Sequence, residues 1–127
     1  MKAVDTNVLV RAMLGDDDMQ SPIAHRFLQG KIFLPLTVLL ETGWVLKSNA
    51  GLSRMQIAAM LSTFVRLPNV HLEDLDGVLA ALAAYAEGGD FADHLHLVAA
   101  KGAEAFVTFD QGMMTNDAVG VPVELLR

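Results

Sequence analysis

Lys2-Ala3-Val4-Asp5-Thr6-Asn7-Val8-Leu9 joins a short apolar run to an aspartate and then to residues with helical spacing. The run over 2–4 reads as a first strand ending at Asp5. Thr6-Asn7 offers helix-capping chemistry, and Val8, Leu9, Ala12 and Met13 follow on one helical face. A second junction of this kind lies near the other end: Ala105-Phe106-Val107-Thr108-Phe109 reads as a strand, closed by Asp110-Gln111-Gly112. In an open parallel sheet, ligands sit beyond the carboxyl ends of the strands. Two strands that each end on an aspartate therefore predict two acids on one sheet edge.

Between these junctions, strands and helices alternate. Ile32-Phe33-Leu34 and Val70-His71-Leu72 are short strand candidates, and Val121-Pro122-Val123 is a weaker last one, which its proline places at an edge. Gly15-Asp16-Asp17-Asp18 breaks the first helix and reads as a solvated turn without chemistry. Ser21-Pro22 opens a second helix, ended near Gly30. Pro35 and Thr37 open a third with Gly51 as its stop, and Ser53-Arg54-Met55-Gln56 has the pattern of a capping box for a fourth. The stretch 37–66 thus holds two consecutive helices, a candidate hairpin. Asp74 or Asp76 caps the next helix, Gly88-Gly89 breaks it, and Phe91 to Ala100 forms another. The alternation predicts an α/β domain with a mainly parallel sheet covered on both faces.

At 127 residues the chain suits one domain, spanning 1–127. Apolar residues make up 53% and charged residues 19%, the composition of a well-buried core or of apolar surface hidden by a partner. No apolar run is long enough for a membrane span, and the early Asp5 argues against a signal peptide. The absence of cysteine excludes disulfides and thiolate metal sites and points to a reducing cytoplasm. A net charge of −6 argues against a general nucleic-acid binder, unless several acids hold a cation that reverses the local field.

Four acids are the candidates for such a site: Asp5, Glu41, Asp93 and Asp110. Asp93 lies in the first turn of its helix. Glu41 sits among Val38, Leu39, Leu40, Trp44 and Val45, in a helix with few other charges. Gathered carboxylates repel, and without a cation some stay protonated. Hard oxygen donors favour Mg²⁺ or Mn²⁺ over zinc, and such an ion activates water and stabilises charge on a phosphoryl oxygen. The expected roles are direct metal ligation by Asp5 and Asp93, ligation directly or through water by Asp110, and either a second ion or water orientation for Glu41.

Each acid has a plainer reading on its own. Asp5 and Asp93 suit helix starts, Asp110 suits a turn, and Glu41 suits an exposed helix face. Asp90, three residues before Asp93, competes with it; we read Asp90 as the cap and Asp93 as the ligand. His94 and His96, two apart on a helix, point to different sides and do not make a joint metal motif. Met13, Met55 and Met60 fall near apolar helix faces and read as packing residues. Lys47 and Arg54 lie near the candidate hairpin and Arg11 and Arg26 on the early helices, and any of them could touch a phosphate backbone.

Asp5-Thr6-Asn7 after a strand, Glu41 in a helix, Phe91-Ala92-Asp93 at a helix start and Thr108-Phe109-Asp110 after a strand together resemble the PIN-domain ribonucleases. Within them the chain looks like a VapC-type toxin of a toxin–antitoxin pair, in length and motif order over essentially the whole chain. The resemblance implies a three-layer α/β/α sandwich and Mg²⁺- or Mn²⁺-dependent endoribonuclease activity. It also implies a homodimer and inhibition by a cognate antitoxin. It carries over to Asp5, Glu41, Asp93 and Asp110, with Thr6, Asn7 and Thr108 as supports. The chain departs from it after Asp110, where Gln111-Gly112-Met113-Met114 intervenes before Asn116 and Asp117. Two other classes compete: a non-catalytic PIN-like interaction module, and a phosphotransfer enzyme with Asp5 as nucleophile. The latter ranks last, because Asn7 stands where a second aspartate is usual.

Overall fold

The computed structural model describes residues 1–115 and 121–127. By its internal contacts the chain divides into two compact units, Met1–Glu73 and Asp74–Arg127.

The first unit runs β1 (Lys2–Ala3), α1 (Thr6–Leu14), α2 (Gln20–Phe27), β2 (Ile32–Phe33), α3 (Leu36–Ser48), α4 (Arg54–Val65) and β3 (Val70–His71). The strands form a parallel sheet in the order β1-β2-β3, with Lys2 opposite Ile32 and Phe33 opposite His71. The ladder runs one residue past each of the first two strands: Val4 N–H donates to the Phe33 carbonyl at 3.1 Å and Leu34 N–H to the His71 carbonyl at 2.8 Å. Parallel neighbours need long crossovers, and a helix pair supplies each one. Leu9, Ile32, Leu34, Leu39, Leu46, Ile57 and Leu61 are fully buried and form the core.

The local signals work as expected. Gly15 ends α1 in the left-handed conformation, with its N–H on the Arg11 carbonyl. Ser53 and Gln56 form a complete capping box at α4, and α3 packs against α4. The acidic turn before α2 is solvated, as expected, and also has a structural role. Asp17 Oδ1 accepts the N–H groups of Gln20 at 2.7 Å and Met19 at 3.0 Å, so it caps α2 from outside. Those backbone donors hold its carboxyl below the usual aspartate value of 3.8, with Arg11 adding to the effect.

The second unit runs α5 (Leu75–Ala86), α6 (Phe91–Ala99), β4 (Phe106–Thr108), a 3₁₀ turn over Gln111–Thr115 and β5 (Val123–Leu125). Strands β4 and β5 pair in parallel, with Phe106 opposite Val123. The last strand therefore starts two residues later than the sequence suggests. Pro122, which has no N–H to give, precedes it and uses its carbonyl to accept from Phe106 N–H at 2.7 Å. Helices α5 and α6 pack on each other. Val78, Ala81, Leu82 and Leu97 are fully buried, and the Tyr85 and Phe91 rings meet at 5.2 Å.

Asp74, rather than Asp76, caps α5. It adopts the left-handed conformation (φ 51°, ψ 67°), and its carboxylate accepts from Gly77 N–H at 3.0 Å. A Cβ on Gly77 would lie 2.5 Å from Asp74 Oδ2. All three strand pairings among the described residues are parallel and alternate with helices, which is the expected α/β class.

Candidate functional site

In the first unit, Asp5 follows β1 and caps α1. Its backbone is extended (φ −92°, ψ 160°), and Oδ1 accepts Thr6 N–H at 2.8 Å. The plain capping role is thus real, and the carboxylate is also exposed at the carboxyl end of the strand. Thr6 is buried, and its hydroxyl donates to Glu41 Oε1. That bond ties α1 to α3 and fixes one oxygen of Glu41, which otherwise faces solvent. Asp5 and Asn7 edge an apolar cleft of about 560 Å³ floored by Val4, Val8, Ala24 and Phe27.

In the second unit, Asp90 caps α6, with Oδ1 accepting Asp93 N–H at 3.0 Å. Asp93 is left half-buried in the first turn. Its carboxyl is pushed above the usual value of 3.8, first by burial, then by the charges of Asp90 and Asp110; His96 and His94 oppose the shift. Asp110 follows β4 and is held from two sides. Its N–H donates to Thr108 Oγ1 at 3.0 Å, and its Oδ1 accepts Gly112 N–H at 2.8 Å. Glu87, Asp90, Asp93, His94 and Asp110 line one cleft of about 470 Å³.

The two histidines separate as expected. His94 is buried, with Nδ1 2.6 Å from the Asp90 carbonyl oxygen. A carbonyl only accepts, so Nδ1 carries the proton. Gly89 is needed here, because a Cβ would come within 2.9 Å of the His94 ring. His96 is exposed and stacks on Phe106, with ring centres 6.3 Å apart.

Within each unit the fold therefore brings two of the expected acids near one another or near a shared partner: Glu41 reaches Thr6 beside Asp5, and Asp93 and Asp110 share a cleft. Within either unit, the described residues hold no group of three or more His, Asp or Glu side chains placed around one point. Asn116 and Asp117 lie outside the described residues. Glu87 was missed by sequence reasoning; an acid ending a helix just before Gly88-Gly89, three residues from Asp90, was the available signal. The donor set fits a hard divalent cation, since the carboxylates are oxygen donors and a positive charge would relieve the pressure on Asp93.

Comparison with known proteins gives a family match: the PIN domain family model covers residues 2–117. No curated protein and no solved structure matches the chain.

Proposed function

Given that the chain belongs to the PIN-domain family, we propose that it is a divalent-metal-dependent endoribonuclease with Asp5, Glu41, Asp93 and Asp110 as its acidic centre. PIN domains are commonly nucleases. One observation carries the reading for this chain: Asp93 and Asp110 come from different elements, line one cleft, and Asp110 helps drive the Asp93 carboxyl upward. Carboxylates set against each other in this way are what a cation site requires.

When bound, Mg²⁺ or Mn²⁺ supplies an activated water and neutralises charge on the phosphoryl oxygens. The chain supplies position. Asp93 is fixed at the start of α6, and Asp110 is oriented by Thr108 and Gly112. Glu41 is oriented by the Thr6 hydroxyl, leaving its other oxygen to direct a water or hold a second ion. Asp5, at the end of β1, would hold the ion directly in this reading, as would Asp93.

We further read the protein as the toxin of a VapBC-type pair, acting in the cytoplasm as a homodimer and restrained by a cognate antitoxin. The support is the order of its motifs within the matched domain. The test is incubation of purified protein with structured RNAs in Mg²⁺, Mn²⁺ or EDTA, comparing wild type with Asp5→Asn and Asp93→Asn. Cleavage should need the metal and both carboxyls. Cleavage that persists in Asp5→Asn sinks the site. A protein that cleaves nothing and binds no Mg²⁺ or Mn²⁺ is the non-catalytic module.

A further inference from the structure

His94 is the one polar side chain among the buried residues of α6, and it is only 9% exposed. A buried polar group needs its hydrogen bonds met. Nδ1 meets its own by donating to the Asp90 carbonyl at 2.6 Å. The neutral ring then carries its lone pair on Nε2. Among the described residues nothing donates to Nε2, and no sealed side-chain nitrogen or oxygen there lacks a partner, so Nε2 is open to the surroundings.

The opening is the acidic cleft. His94 lines it together with Gly89, Asp90, Asp93 and Asp110. The ring atom nearest to where a Cβ at Gly89 would lie, 2.9 Å away, is Cε1, the carbon between the two nitrogens. The nitrogen-bearing edge of the ring is therefore the edge turned to the cleft wall. Proteins prepare an imidazole for a metal in this way: one nitrogen donates to a carbonyl and fixes the tautomer, and the other is left for the ion.

We propose that His94 Nε2 is a nitrogen ligand of the divalent ion held by Asp93 and Asp110, and that it makes the centre prefer a first-row transition ion to Mg²⁺. The inference rests on the reading of these acids as a cation centre, and it names the class of ion. Carboxylates alone accept Mg²⁺ readily, whereas imidazole suits transition ions, of which Mn²⁺ binds most weakly and is the strictest probe. As placed, the side chains do not surround one point. The ring is pinned by its Nδ1 bond, while Asp110 is exposed and Asp93 half-buried, so the carboxylates are the ligands that close on the ion.

The test loads the full chain with Mn²⁺ alone and reads nitrogen coupling to the ion by pulsed EPR, which needs no cleavage. Wild type should show a directly bound nitrogen whose signature changes when histidine is isotope-labelled. His94→Asn keeps an N–H for the Asp90 carbonyl but removes Nε2, so a purely structural role predicts wild-type behaviour. Instead the coupling should vanish, and calorimetric Mn²⁺ affinity should fall about tenfold or more with Mg²⁺ affinity nearly unchanged. Combining His25→Gln, His71→Gln and His96→Gln, all at exposed positions, should keep the coupling, and this arm does not depend on the folding of His94→Asn. Mn²⁺ bound without nitrogen coupling, coupling that survives in His94→Asn, an equal loss of Mg²⁺ affinity, or coupling lost in the triple variant overturns the proposal and leaves the acidic centre standing. A wild type that binds neither ion removes the centre, and this inference with it.

Discussion

Asp17 and Asp93 each sit at the start of a helix, one in each unit, and their carboxyls are driven in opposite directions. Asp17 meets two backbone N–H groups and is held below 3.8. Asp93 has ceded its own N–H to Asp90, and is left with burial and two like charges, which hold it above 3.8. Position near a helix N-terminus is thus not enough to assign a role. What matters is whether donors or other carboxylates face the group. The first arrangement builds a cap, and the second leaves a charge that a cation would settle.

The largest expected effect breaks the second arrangement outright. Asp93→Asn and Asp5→Asn should each lower RNA cleavage by about 10³-fold or more, the several kcal/mol that metal-assisted chemistry contributes. Thermal unfolding should show both variants still folded. Cleavage lost in Asp5→Asn but intact in Asp93→Asn would leave the crowded carboxyl without a role.

The supports come next. Thr6→Val keeps the shape but removes the donor to Glu41, and Thr108→Val removes the acceptor of Asp110 N–H. Each should cost about 10- to 100-fold in metal affinity or activity, as the partners of metal ligands typically do. Calorimetric Mn²⁺ titration and initial rates measure it. Equal wild-type behaviour in both would mean the carboxylates need no orientation.

The pH dependence sharpens the comparison further. Asp93 has a raised folded value, so its proton competes with the metal in a window above 3.8, and Mn²⁺ affinity should fall as pH drops through that window. Asp90→Asn removes one like charge and should shift the window downward. In the metal-free protein, ionising Asp93 as pH rises costs stability, because the folded state holds that proton more tightly than the unfolded chain. Asp17 has the opposite sign. Its contribution is present above 3.8 and is lost as pH falls through its lowered value. Asp17→Ala should therefore lower Tm by only a few degrees, roughly the scale of one lost cap, with the difference vanishing in strong acid.

What the sequence made legible was local. The strand–aspartate junctions at Asp5 and Asp110, the Asp90 cap and the Ser53–Gln56 box are set by neighbours a few residues apart. The Thr6–Glu41 bond spans 35 positions, and no spacing rule announces it. The role of Asp17 was hidden because three consecutive aspartates look alike in sequence, and only the path of the chain into α2 chooses one. Pro122 displaced the last strand because the ladder took its carbonyl and passed over the missing N–H. That the chain is a PIN domain was visible in the order of weak motifs rather than in any one of them.

The left-handed backbone at Asp74 ties two positions into one unit of inheritance. Only Asn, Asp and Gly take that conformation readily, and only the first two still offer an oxygen to Gly77 N–H. The other oxygen of that carboxylate, Oδ2, occupies the space a Cβ at 77 would need. Alanine at 77 is therefore harmful while Asp74 stands, and becomes an ordinary helix-strengthening change once position 74 is glycine. The worth of either residue cannot be stated without naming the other, and a library varied at both sites would return pairs rather than independent preferences.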